Sequence, residues 1–126
     1  VRSRLRSLSD GAGGSYVALM FWCPGCERID ADGTRTRGLN MLPISGDPSK
    51  HPVWGFDGNL EAPTLTPSIL TTTKAADVEG SNNVGDFVCH SHLVAGVFQF
   101  LSDCTHPLAT QHVALPELPR WVAELR

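Results

Sequence analysis

The residue types with the most chemistry in this chain are four cysteines and the histidines that lie near two of them. Cys23 and Cys26 sit three positions apart across Pro24-Gly25. Proline presets φ and glycine tolerates a left-handed backbone, so the chain turns back and both sulfurs face one point. That is half of a tetrahedral zinc site. Cys89 and Cys104 are the only other cysteines, and they are predicted to supply the second half. Such a site is coordinatively closed, leaves no water to activate, and is structural. Structural zinc contributes on the order of 10–16 kcal/mol in small peptides, enough to organise a domain. Without a metal, Cys89 and Cys104 would be ordinary small core residues.

His90 and His92 form a His-x-His pair, and Asp103 and His106 follow. An open metal centre that activates water could be built from these four. No carboxylate motif accompanies the pair, so exposed histidines or a partner to the zinc is the preferred reading. A zinc deaminase needs His-x-Glu ahead of Pro-Cys-x-x-Cys, which this chain lacks. No phosphate-binding glycine loop, nucleophile elbow or Ser-His-Asp arrangement is recognised, and no residue is given a catalytic role.

Length and composition bound what can position these groups. The 126 residues suffice for one modest core, with 41% hydrophobic and 18% charged residues, an ordinary globular balance. No apolar run approaches the roughly 20 residues of a membrane span, and no signal-peptide pattern precedes the cysteines. The expectation is a reducing cytoplasm, where four cysteines read as metal ligands rather than two disulfides. The net charge is −3, unevenly spread: Arg2, Arg4 and Arg6 stand against Asp10 alone in the first fifteen residues. Residues 1–15 are therefore expected to be a flexible basic arm, and 16–126 a single zinc-binding domain. The acidic body disfavours nucleic acid except through those arginines.

The elements read mainly as strands. Tyr16–Trp22 is a short aromatic-rich apolar run that delivers Cys23. Asp32-Gly33 marks a hairpin turn, and Leu39–Ile44 is a strand stopped by Pro43. Ala62–Leu70 is extended but broken by Pro63 and Pro67, which suits an edge strand or a rim. Lys74–Asp86 is the expected mobile loop. Phe87–Val94 and Val97–Leu101 form a hairpin about Ala95-Gly96, with Val94 opposite Val97 and His92 opposite Gln99. Its apolar face carries Phe87, Cys89, Leu93, Phe98 and Phe100, and Cys104 if the strand continues. Trp22, Trp54 and Trp121 are expected in the core. Arg120–Arg126 is a short helix with Trp121, Val122 and Leu125 on one side. The predicted fold is a small, mainly β, zinc-stabilised antiparallel sheet or partial barrel with a short C-terminal helix.

Four stretches also carry a family resemblance: Phe21-Trp22-Cys23-Pro24-Gly25-Cys26, Trp54–Ile69 with its Pro63-Thr64-Leu65-Thr66-Pro67-Ser68, Cys89-His90-Ser91, and Asp103-Cys104-Thr105-His106. The chain resembles a family of small phage and prophage proteins of unassigned function, some labelled ammonia monooxygenase. That label needs a membrane segment this sequence does not show. The family allows Ser at the position of Cys104 and keeps the histidine matching His106, which makes His106 the rival fourth ligand. The resemblance implies a phage-encoded, non-catalytic, zinc-stabilised binding or structural module, in a host bacterial cytoplasm or a virion. Its partner would be a phage or host protein, or further copies of itself, with no membrane contact. The alternatives are a metal-dependent hydrolase using His90, His92, Asp103 and His106, and a zinc-ribbon-like nucleic-acid binder led by Arg2, Arg4 and Arg6.

Overall fold

A computed structural model describes residues 1–29, 31–73 and 87–125. The expected loop Lys74–Asp86 lies outside the described residues. Among those described, antiparallel strands dominate and one short helix lies near the C-terminus, as predicted.

The first sheet has the order β1-β2-β5, with β1 at Ser3–Ser9, β2 at Ser15–Trp22 and β5 at Leu39–Pro43. Residues 1–15 are thus not a free arm. Ser3 to Ser9 pair in continuous register with Phe21 to Ser15. Their alternation of Arg and Ser reads as solvated chain, but the buried stretch Ala18–Trp22 of β2 needs a partner on each side. Arg2 and Arg4 are tied to the C-terminal segment rather than held out for phosphates. Arg2 Nη1 donates to the Leu115 carbonyl, and Arg4 Nη1 donates to the carbonyls of Ala123 (2.7 Å) and Val122 (3.3 Å). A cation on the last carbonyls of a helix meets their partial negative charge. That helix, α1 (Arg120–Ala123), buries Val122 against Met20 and Trp22. Trp121 is 55% exposed and is not core.

Between these sheet strands, β3 (Arg28–Ile29) and β4 (Arg35–Thr36) form a small ribbon around the Asp32-Gly33 turn. The second sheet has the order β10-β9-β8-β7-β6. Its strands are β6 (Gly55–Phe56), β7 (Leu65–Thr73), β8 (Phe87–Val94), β9 (Val97–Phe100) and β10 (His112–Ala114). Leu19 and Phe21 of β2 pack against Leu65, Ile69, Cys89, Leu93, Phe98 and Phe100 of this sheet, making one core between the two. The other face of β8 looks outward, where His92 is exposed.

The β8–β9 hairpin has the predicted register, Val94 opposite Val97 and His92 opposite Gln99. Both turn residues have positive φ, 49° at Ala95 and 75° at Gly96, as a primed two-residue turn demands. Alanine is strained there and glycine is not. Ala95→Gly is therefore expected to stabilise the fold by about 0.5–1 kcal/mol, raising the midpoint of a thermal melt by about 2–6 °C. At Gly96 an added Cβ would stand 2.9 Å from Ala62 Cα, so Gly96→Ala is expected to lower it.

Candidate functional site

Strand β7 does not run evenly beside β8. Leu65 pairs with Leu93 and Ile69 with Ser91, so Thr66, Pro67 and Ser68 stand against the single residue His92. Such a bulge re-aims a side chain. Here it brings Ser68 Oγ to 3.0 Å from His90 Nε2. The Trp54 indole N–H holds the bulge by donating to the Ser68 carbonyl (3.3 Å).

On the other side of the ring, His90 Nδ1 lies 3.0 Å from Asp103 Oδ2. An ionised carboxylate only accepts, so Nδ1 carries the proton and donates it to Asp103, and Nε2 is left to accept from the Ser68 hydroxyl. A hydroxyl, an imidazole and a carboxylate thus form one hydrogen-bonded line, an arrangement that can support nucleophilic catalysis. The His90 side chain is 24% exposed and that of Asp103 55%, so the line lies open on the outer face of the sheet. Leu70, the cross-strand partner of His90, is 57% exposed beside it. The mouth of a 300 Å³ hollow lined by Gly55, Phe56, Asp57, Thr64 and Thr66 borders the same bulge.

Asp103 is positioned by its neighbours. Strand β9 ends at Phe100, opposite Ser91, so the first β8 residues, Phe87 to His90, have no strand beyond it to pair with. Residues 101–105 take that place. Leu101 N–H donates to the His90 carbonyl (2.9 Å), and Thr105 N–H to the Val88 carbonyl (2.9 Å). The Val88 N–H donates to Thr105 Oγ1 (3.0 Å), and the His90 N–H to Cys104 Sγ (3.2 Å), which faces the His90 carbonyl at 3.1 Å.

Three of the predicted metal ligands do meet. The sulfurs of Cys23, Cys26 and Cys89 all lie within 4.8 Å of one another, buried, and can hold a metal ion. Cys23 and Cys89 Sγ are 3.7 Å apart. Hydrogen bonds from Cys23 and then Cys89 hold the Cys26 thiol down to about 3; the Cys26 contact pushes Cys23 up to about 12 against an opposing pull from Cys89, and Cys23 and Cys26 together push Cys89 up. Three buried thiols converging on one point are a ligand set a metal cation can use.

Cys104 is not with them. The sequence placed it on the core face by continuing β9, but the strand stops at Phe100 and the turn carries the sulfur to the His90 backbone instead. His106 is buried at 7% exposure beside the knuckle but lies outside the tight sulfur group. Its Nδ1 accepts from the Leu108 N–H (3.2 Å), while its Nε2 is the one buried side-chain polar atom without a partner among the described residues. A Cβ on Gly25 would fall 2.5 Å from that nitrogen, so only glycine admits the ring here. Burial pushes the His106 pKa down, against an opposing pull from Cys26.

The open metal centre built on His90, His92, Asp103 and His106 does not form. His90 spends both nitrogens on Ser68 and Asp103, His92 is exposed on the outer face, and His106 is across the sheet in the core. Sequence reasoning missed Ser68 altogether, taking the Pro-flanked segment for a rim. The order Ser68, His90, Asp103 was there to be read, but only a bulge makes the three converge.

No curated protein and no solved structure matches the chain. A family model does, over residues 4–101, and it describes a bacterial ubiquitination-like system serine protease (BubE). This overturns the phage attribution and the reading as a non-catalytic virion or structural module; the hydrolase alternative was closer in class, though it named a metal-dependent reaction. The match covers most of the chain, including Ser68 and His90: the chain belongs to the bacterial ubiquitination-like system serine protease family, BubE.

Proposed function

We propose that this chain hydrolyses a peptide bond in a protein of a ubiquitin-like system, with Ser68 as nucleophile, His90 as general base and Asp103 as the group that orients His90. The observation that carries the reading is the pair of 3.0 Å contacts on the two nitrogens of one imidazole. As Ser68 Oγ adds to the carbonyl carbon, its proton passes to Nε2, and the Asp103 carboxylate stabilises the imidazolium. The same proton then goes to the departing amine as the C–N bond breaks. Water repeats the sequence on the acyl-serine, releasing the acid and restoring the hydroxyl. The site's open position on a sheet face, with Leu70 exposed beside it, suits an extended stretch of a protein substrate.

The experiment is turnover of internally quenched peptides and of ubiquitin-like proteins carrying C-terminal extensions. The protein is expected to cleave at least one of them, with His90→Ala and Asp103→Asn both inactive and both folded. Hydrolysis that survives His90→Ala would refute the assignment.

The three buried sulfurs support a second element of the reading, a zinc ion with a structural role. Soft thiolates select zinc, and a buried all-protein set serves structure rather than catalysis. His106 is proposed as fourth donor because its buried Nε2 has no partner and abuts the same knuckle. Binding there moves the ring proton to Nδ1 and gives up the Leu108 contact. Cobalt substitution tests the set: thiolate-to-cobalt absorption is expected in the wild type, lost in Cys89→Ser, with the visible ligand-field bands displaced in His106→Ala. Bands unchanged by His106→Ala would remove His106 from the set.

A further inference from the structure

We propose that Cys104 is a positioning residue for the protease reading above: its thiol locks the backbone of His90, and through it the imidazole, at the geometry that Ser68 and Asp103 require. The need arises from the strand lengths. Strand β9 pairs with β8 only as far as Ser91 opposite Phe100, so the His90 N–H and C=O that face that side lack a strand partner. The carbonyl receives the Leu101 N–H (2.9 Å). Among the described residues no backbone carbonyl comes forward for the His90 N–H, and Cys104 Sγ takes that role at 3.2 Å. The same sulfur donates back to the His90 carbonyl at 3.1 Å.

A thiol can do both because it is a weak acceptor and a weak donor at once. Thr105 repeats the device one pair along, its Oγ1 accepting from the Val88 N–H at 3.0 Å. Two consecutive side chains therefore stand in for the carbonyls of a strand that has ended. Their effect on the site is direct, because Cys104 follows Asp103 in the chain. One sulfur fixes the backbone of the base while its own backbone carries the orienting carboxylate. Errors of about 1 Å in such an arrangement cost on the order of a hundredfold in rate, and loss of the sulfur leaves a polar N–H without a partner.

The claim rests on the serine reading, and its test separates the two. Cys104→Ser keeps a group that accepts and donates; Cys104→Ala and Cys104→Val do not, and Val also fills the space. Full-length protein is assayed for peptide turnover, for metal content and for the rate at which a fluorophosphonate labels serine. The expected result is kcat within about threefold of wild type for Cys104→Ser and a fall of ten- to a hundredfold for Ala and Val. KM is expected to change less than twofold, labelling to slow in parallel with kcat, and bound metal to stay at the wild-type level. Wild-type kcat in Cys104→Ala and Cys104→Val would overturn the positioning role while leaving Ser68 as nucleophile. Loss of metal in both would overturn it too, by making Cys104 a ligand.

Discussion

Ser68→Ala is expected to lower kcat for peptide hydrolysis by at least about ten-thousandfold, with KM and thermal stability almost unchanged. Among the described residues, Ser68 is the hydroxyl in contact with His90 Nε2, and removing it leaves a base with nothing to deprotonate but water. The fold should not notice, because Ser68 is half-exposed in a bulge where its backbone, not its hydroxyl, is tied to Trp54. The double variant Ser68→Ala, His90→Ala is expected to be no worse than either single one, since the two groups perform one step together. Additive losses would mean that the two residues act separately. The measurement is kcat and KM for the three variants beside circular dichroism melts.

Removing the proposed zinc is expected to have the largest effect on stability. Cys23 closes β2 of the first sheet, and Cys89 lies in β8 of the second, so an ion held by both joins the sheets across the core. Binding of a structural zinc carries on the order of 10 kcal/mol or more, comparable with the whole stability of a domain this size. Cys89→Ser, or exhaustive chelation, is expected to lower the melting midpoint by at least about 15 °C. Activity should go with it, because Cys89 immediately precedes His90 and His106 lies three residues after Asp103. Gly25→Ala is the milder version: its Cβ would meet His106 and Phe100 at 2.5–2.9 Å, so the knuckle must shift. Calorimetry with and without chelator, beside metal analysis, decides the matter. A melt that chelator leaves untouched would show that the three thiols hold the fold without an ion.

The parts of this structure that could be read in the sequence are those fixed locally. The Cys23–Cys26 knuckle follows from its own turn chemistry, and the β8–β9 register follows from alternation about Ala95-Gly96. What escaped depends on where strands stop or swell. Cys104 was placed on the core face by extending β9 four residues too far, a difference alternation cannot detect. The strand Ser3–Ser9 is polar by composition, and it exists because β2 offers it an edge and the C-terminal carbonyls offer its arginines a place. Ser68 is the sharpest case. No elbow motif surrounds it, and a Pro-Ser pair in an extended segment gives no hint of a nucleophile. Three residues of β7 opposed to one of β8 put it there, and that mismatch is a property of the pairing, not of either strand alone.

The most direct measurement is the intact mass and peptide map of the protein after reaction with diisopropyl fluorophosphate. Attack by Ser68 Oγ on phosphorus expels fluoride, and the hydroxyl proton passes to His90. One adduct per chain is expected, located on Ser68 and absent from both Ser68→Ala and His90→Ala. An adduct on a different serine, or a chain that stays unlabelled while it cleaves peptide, would contradict it.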